Sequence, residues 1–209
     1  MKKILLALVV IATMFSAHAT IYTTNWNSGF ANSGVVPDNN FSGWSDTRSV
    51  STMPTGTFTA VAVTLELSGG WNGDLYAYLV HSSGFSVLLD RVGYTGSGFG
   101  YGTAGMNVVL TNGMPSIETT PSPVSGGLYS PDAGYAGSLN SFLSTSPNGT
   151  WSLFIADLSV GGVTTVQSWG LQMDIVAVPE VETWVAAALA GAFGAFWLNR
   201  QVWNGVKKS

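Results

Sequence analysis

Hydrophobic and polar positions alternate with a period of two in several short runs, which is the spacing of half-buried β-strands. The clearest run is Phe58–Leu67. Val61, Val63, Leu65 and Leu67 share one face, and Ala60, Ala62, Thr64 and Glu66 share the other. Its β-branched residues suit a pleated surface. Leu75, Ala77 and Leu79 alternate in the same way with Asp74, Tyr76 and Tyr78. His81-Ser82-Ser83-Gly84 then supplies a hairpin turn, and Phe85–Leu89 resumes an apolar run. Trp44–Thr52 predicts an edge strand and Met106–Thr111 a further short one. Trp151, Leu153 and Ile155 alternate with Ser152, Phe154 and Ala156. Both of those faces are largely apolar, which predicts a central strand. Trp169, Leu171, Met173 and Ile175 form the inner face of a last strand, Val163–Ile175.

Turn signals separate these runs at Pro37-Asp38-Asn39-Asn40, Asn148-Gly149 and Gly161-Gly162. Together they predict an all-β fold, an antiparallel β-sandwich over residues 35–177. Three stretches lack the pattern. Thr20–Gly34 is polar and is expected as a loose N-terminal arm. The glycine-dense Gly93–Gly105 is expected as a long mobile loop. Met114–Asn140, with four prolines, is expected to be irregular.

The two ends follow other rules. Met1-Lys2-Lys3, the apolar run Ile4–Phe15 and Ala17-His18-Ala19 have the layout of a secretory signal peptide over residues 1–19, cleaved before Thr20. Thr183–Leu198 is an uncharged run of 16 residues, predicted to be a transmembrane helix over 183–198. Trp184 and Trp197 bracket it as membrane-interface aromatics. Arg200, Lys207 and Lys208 follow and would hold the tail in the cytoplasm.

Composition narrows the chemistry. The chain has no cysteine, so disulfides, thiolate metal sites and thiol nucleophiles are excluded. Residues 20–177 carry nine acidic and two basic side chains, a net charge of −7, with no lysine. Nucleic acid and anionic lipid surfaces are poor partners for such a domain. The one histidine after the signal is His81, in a turn expected to face solvent, and nothing around it resembles a nucleophile turn. No phosphate cradle is expected at Gly93–Gly105, because no helical pattern or lysine follows it. The chain therefore reads as non-catalytic.

Two family resemblances are carried by ordered blocks of sequence. VPDNNFSGWSDTRSV, VAVTLELSGGWNGDLYAYLVHSSGFSVLLDRVG and NGTWSLFIADLSVGGVTTVQSWGLQMDI, spanning about Val35–Ile175, resemble the P domain (Homo B) of proprotein convertases. The resemblance implies a jelly-roll β-sandwich of the kind that accompanies and stabilises a subtilisin-like serine protease. It does not imply proteolysis by this chain, which has no room for a protease domain. Residues 178–209, with VAVPEVETW, an apolar helix and a basic end, resemble the PEP-CTERM sorting signal read by exosortase in Gram-negative bacteria. Pro179 and Glu180 match its motif. This implies transient anchoring in the inner membrane, then release or transfer to the cell surface.

Acidic side chains are the only chemistry-bearing groups present in number. Asp74, in the Trp71-Asn72-Gly73-Asp74 turn, and Asp157, at the end of its strand, match acidic positions of the P-domain pattern. Two readings stay open for them. They are ligands for Ca2+, or they satisfy backbone N–H groups at turns. Trp26, Trp44 and Trp71 lie in loops or edges, where they either cap the sandwich or stack on sugar rings. Three functions follow as expectations. The first is an exported, non-catalytic cell-surface or matrix protein. The second is an accessory module for a separate subtilisin-like protease. The third is a carbohydrate-binding module working in exopolysaccharide.

Overall fold

The structure is a computed structural model that describes residues 19–54, 56–123, 125–132, 138–143, 145–177, 188–197 and 200. The expected signal peptide therefore lies outside the described residues apart from Ala19. So do Pro179, Glu180, Trp184 and the last residues of the basic tail.

All strands belong to one unit, Ala19–Ala177. They are β1 (Ala19–Trp26), β2 (Asn40–Val50), β3 (Gly56–Gly69), β4 (Leu75–His81), β5 (Gly84–Asp90), β6 (Met106–Thr111), β7 (Gly127–Tyr129), β8 (Gly149–Asp157) and β9 (Thr164–Ala177). They form a five-stranded sheet, β1-β9-β3-β6-β7, and a four-stranded sheet, β2-β8-β4-β5. The alternation read from sequence decides which side chains go inward. Val61, Val63, Leu65, Leu171 and Met173 from the first sheet share one buried cluster with Leu75, Ala77, Leu79, Leu153 and Ile155 from the second. Each of these side chains except the small Ala77, taken from water, stabilises the fold by roughly 1.5–3 kcal/mol. β8 is central, as both of its apolar faces predict, and β2 is an edge.

The polar segment expected as a loose arm instead begins with a strand. β1 pairs antiparallel with β9 from Ala19↔Val176 to Trp26↔Trp169. Tyr22 and Trp26 pack on the core while Ile21 faces solvent. A one-sided edge strand needs few apolar residues, so composition hid it. Antiparallel pairing is not universal among the described residues. β7, inside the irregular stretch, runs parallel to β6.

The register gives the domain two poles. At one, Ala19 faces Val176, and the chain enters β1 and leaves β9. At the other, Gly69 faces Thr164, Leu75 faces Asp157, and Asn40 faces Asp157. The loops that follow β1, β3, β5 and β8 meet at this second pole.

Residues 188–197 are helical and exposed. At 1.5 Å per residue they extend about 15 Å, against ~30 Å for a bilayer core. Among the described residues, no helix is long and apolar enough to cross a membrane. The rest of the expected span lies outside them.

Candidate functional site

The loop pole is built around the turn Trp71–Asp74. Asn72–Asp74 form one turn of 3-10 helix whose three residues are all buried. The glycine-rich loop 93–105, expected to be mobile, is tied down onto this turn. The Asn72 N–H donates to Thr103 O at 2.8 Å, and the Gly73 N–H to Tyr101 O at 2.9 Å. The Asn72 side-chain amide donates to Thr103 Oγ1 at 3.1 Å and Gly105 O at 3.0 Å. A Cβ on Gly73 would collide with Phe99 O and Tyr101 N, so only glycine lets the loop close this tightly. The glycines here permit close approach as well as turning.

Asp74 closes the turn and Asp157 ends β8, side by side through the Leu75↔Asp157 register. The Asp74 backbone is fully engaged: its N–H donates to Trp71 O at 3.0 Å and its carbonyl accepts from Leu158 at 2.8 Å. Its carboxylate is 1% exposed, and neither oxygen has a hydrogen-bond partner. Asp157 is 0% exposed. Its Oδ1 accepts from the Ser159 N–H at 3.1 Å, and its Oδ2 has no partner. Turn-fixing therefore describes one oxygen of Asp157 and no side-chain oxygen of Asp74. Burial pushes the Asp74 carboxyl up from the usual range; Arg91 opposes this and Asp38 adds to it. Burial likewise raises Asp157. The Ser159 N–H opposes, Asp38 and Asp74 add, and the Asn39 N–H also opposes. Asp38 joins the group from the loop before β2, where its Oδ1 accepts from the Gly161 N–H at 3.0 Å. Among the described residues, no three His, Cys, Asp or Glu side chains are grouped to hold a metal by themselves.

The Trp71 ring stands against Gly161: a Cβ there would be 3.2 Å from two of its ring carbons. Trp71 remains 44% exposed, and Val160 and Val163 are exposed on the same loop. Of the other tryptophans considered for sugar stacking, Trp44 is buried and its Nε1 donates to Ala31 O at 2.8 Å. Trp26 lies 4.4 Å from the Trp169 ring. Both are packing residues.

His81 is not a solvent-facing turn residue. It is 4% exposed and stacks on Trp151 with ring centroids 4.2 Å apart and 20° between planes. Its Nδ1 is 2.7 Å from Ser83 Oγ, while Nε2 lies against Gly149 without a partner. No hydrogen bond to a carboxylate orients it among the described residues, so no Ser-His-Asp relay forms there. Burial lowers its pKa. The strand pattern could have revealed its burial, because His81 continues the inward series Leu75, Ala77, Leu79.

Sequence reasoning missed two further acids. Asp46 of β2 accepts from Arg48 Nε at 2.6 Å and from Trp169 Nε1 at 2.7 Å, bridging the two sheets. Glu118 accepts the Asp90 N–H through Oε1 at 3.1 Å. Burial pushes its pKa up to about 7; the Asp90 N–H opposes, and the charges of Asp132 and Asp90 add. Trp197 and Arg200, expected at a membrane interface, are both exposed in helical backbone.

The fold and site define an all-β, two-sheet sandwich domain with an acidic loop pole. No protein-family model and no curated protein matches the chain. Among solved structures it is similar to a chain in the complex of the Aeromonas sobria serine protease with its chaperone. Identity is 17% and the TM-score 0.48, over 77% of this chain and 27% of that one. The chain thus spans about a quarter of the length of the one it matches.

Proposed function

We propose that this chain is an exported, non-catalytic, P-domain-like jelly-roll protein of the cell surface or matrix, which engages a neutral surface glycan through its loop pole. The observation that carries this reading is the half-exposed Trp71 indole, held against Gly161 between the exposed Val160 and Val163. An indole held at a fixed angle offers an apolar face to a sugar ring at small entropic cost. The net charge of −7 over residues 20–177 disfavours anionic polymers, leaving neutral ones. Electrophoresis through gels cast with neutral polysaccharide from the producing cells tests it. Retardation that disappears in Trp71→Ala is expected. Equal mobility with and without polysaccharide would sink the glycan reading and return the pole to other partners, including a subtilisin-like protease.

Export rests on the two ends of the sequence. The exposed Leu189, Phe193, Phe196 and Trp197 support burial of the C-terminal helix in the inner membrane until an exosortase-type enzyme cuts near Pro179-Glu180. Cell fractionation of Glu180→Ala checks this, with the uncut form expected to accumulate in the membrane fraction.

A further inference from the structure

Five buried oxygens at the loop pole lack a partner: Asp74 Oδ1 and Oδ2, Asp157 Oδ2, Asn72 Oδ1 and Thr164 Oγ1. Four of them can only accept. The Asn72 amide cannot turn over to offer a donor, because its NH2 already donates to Thr103 Oγ1 and Gly105 O. Two carboxyl groups buried side by side at the ends of paired strands, with three of their four oxygens unpartnered, need either a cation or a proton to offset their charge. The nearby cation does not offset it in contact. Arg91 directs Nε to Gly73 O at 3.3 Å and lays its guanidinium over the Tyr94 ring at 4.3 Å. Among the described residues, the salt bridge at 4.0 Å or less is Arg48–Asp46, not one to Asp74.

We propose that Asp74 and Asp157 hold one divalent cation between β4 and β8, with Asn72 Oδ1 the nearest further oxygen ligand and water or backbone carbonyls completing the shell. The donors are all oxygen, with no sulfur or imidazole, which favours Ca2+ over zinc or copper. Irregular loops that supply carboxylate, amide and carbonyl oxygens suit the variable coordination of Ca2+ better than the strict octahedron of Mg2+. Two carboxylates neutralise the ion. The ion in turn ties the 70–74 turn, and the 93–105 loop pinned to it, to the end of β8. This site does not depend on the glycan reading, since its readouts need no glycan.

The test uses the full chain in detergent, stripped with chelator and titrated with CaCl2 alone. A saturable rise in Tm is expected, roughly 5–10 °C at about a hundred times the Kd. One Ca2+ per chain should bind in equilibrium dialysis. Terbium in place of Ca2+ should give luminescence sensitised by Trp71 or Tyr101 that Ca2+ competes away. Asp74→Asn/Asp157→Asn should lose all three responses while keeping a Tm at or above that of the stripped wild type, which separates lost binding from lost folding. No saturable binding by the wild type, or equal binding by wild type and double variant, overturns the site. A stripped protein whose Tm rises on acidification and ignores Ca2+ would also overturn it, by showing that protons satisfy the pair.

Discussion

Asp46 reaches across the sandwich and accepts hydrogen bonds from Arg48 Nε at 2.6 Å and Trp169 Nε1 at 2.7 Å. Asp74, two strands away on the same sheet, is at least as buried and its carboxylate accepts none. Asp157, beside it, accepts from Ser159 on one oxygen only. A buried acid surrounded by donors is part of the scaffold, and removing it strands its partners. A buried acid without donors strains the scaffold by itself. The two regions should therefore respond to substitution with opposite sign.

The largest effect is expected at Asp46→Ala. It would leave the Trp169 indole N–H and the Arg48 guanidinium without their acceptor, a loss of about 2–4 kcal/mol in urea unfolding. An unchanged midpoint would remove the distinction between the two regions. Asp74→Asn/Asp157→Asn, measured in chelator at pH 8, should instead gain about 1–2 kcal/mol, because amides there carry no charge to desolvate. Destabilisation of the size seen at Asp46 would show that the loop pole has donors after all.

Glu118 stands between these extremes, with one backbone donor and two acidic neighbours. Its pKa rises from 4.5 to about 7 on folding, so its contribution is fully present below pH 4.5 and is lost as pH rises through about 7. Glu118→Gln keeps the acceptor for the Asp90 N–H. It should stabilise the protein at pH 8 by roughly 1–2 kcal/mol after allowance for solvent screening, and not at pH 4.5. A pH-independent gain would place the effect elsewhere. The smallest effect is expected at His81. Its folded pKa lies below the ordinary 6.5, so stability should fall as pH drops below 6.5. His81→Phe, which keeps an aromatic ring beside Trp151, should flatten that acid limb of the Tm profile.

Much of the fold was legible because alternation is a local property. β3 could be read face by face from Ala60 to Leu67, and β8 could be recognised as central from Phe154 and Ala156 opposite Leu153 and Ile155. β1 escaped because an edge strand with one wet face resembles a polar arm until β9 is placed beside it. Trp44 looked like an edge aromatic because sequence gives no sign of the loop carbonyl at Ala31 that receives its indole. The site was half legible. Acidic turn residues at 74 and 157 stood out, but the three of their four oxygens left without a donor are a fact about everything packed around them. The Asp46–Trp169 bridge joins residues 123 apart in the chain and is invisible to any local pattern.

The pairing of Ala19 with Val176 sets the polarity of the domain. Both connections to the remaining chain leave from one pole, while Trp71 and the buried acids occupy the other. β9 runs between the two for 14 residues, about 45 Å at the rise of an extended strand. Whatever is joined to either end of the domain is therefore attached at the Ala19–Val176 pole, so both points of attachment lie at the opposite end of β9 from the loop pole.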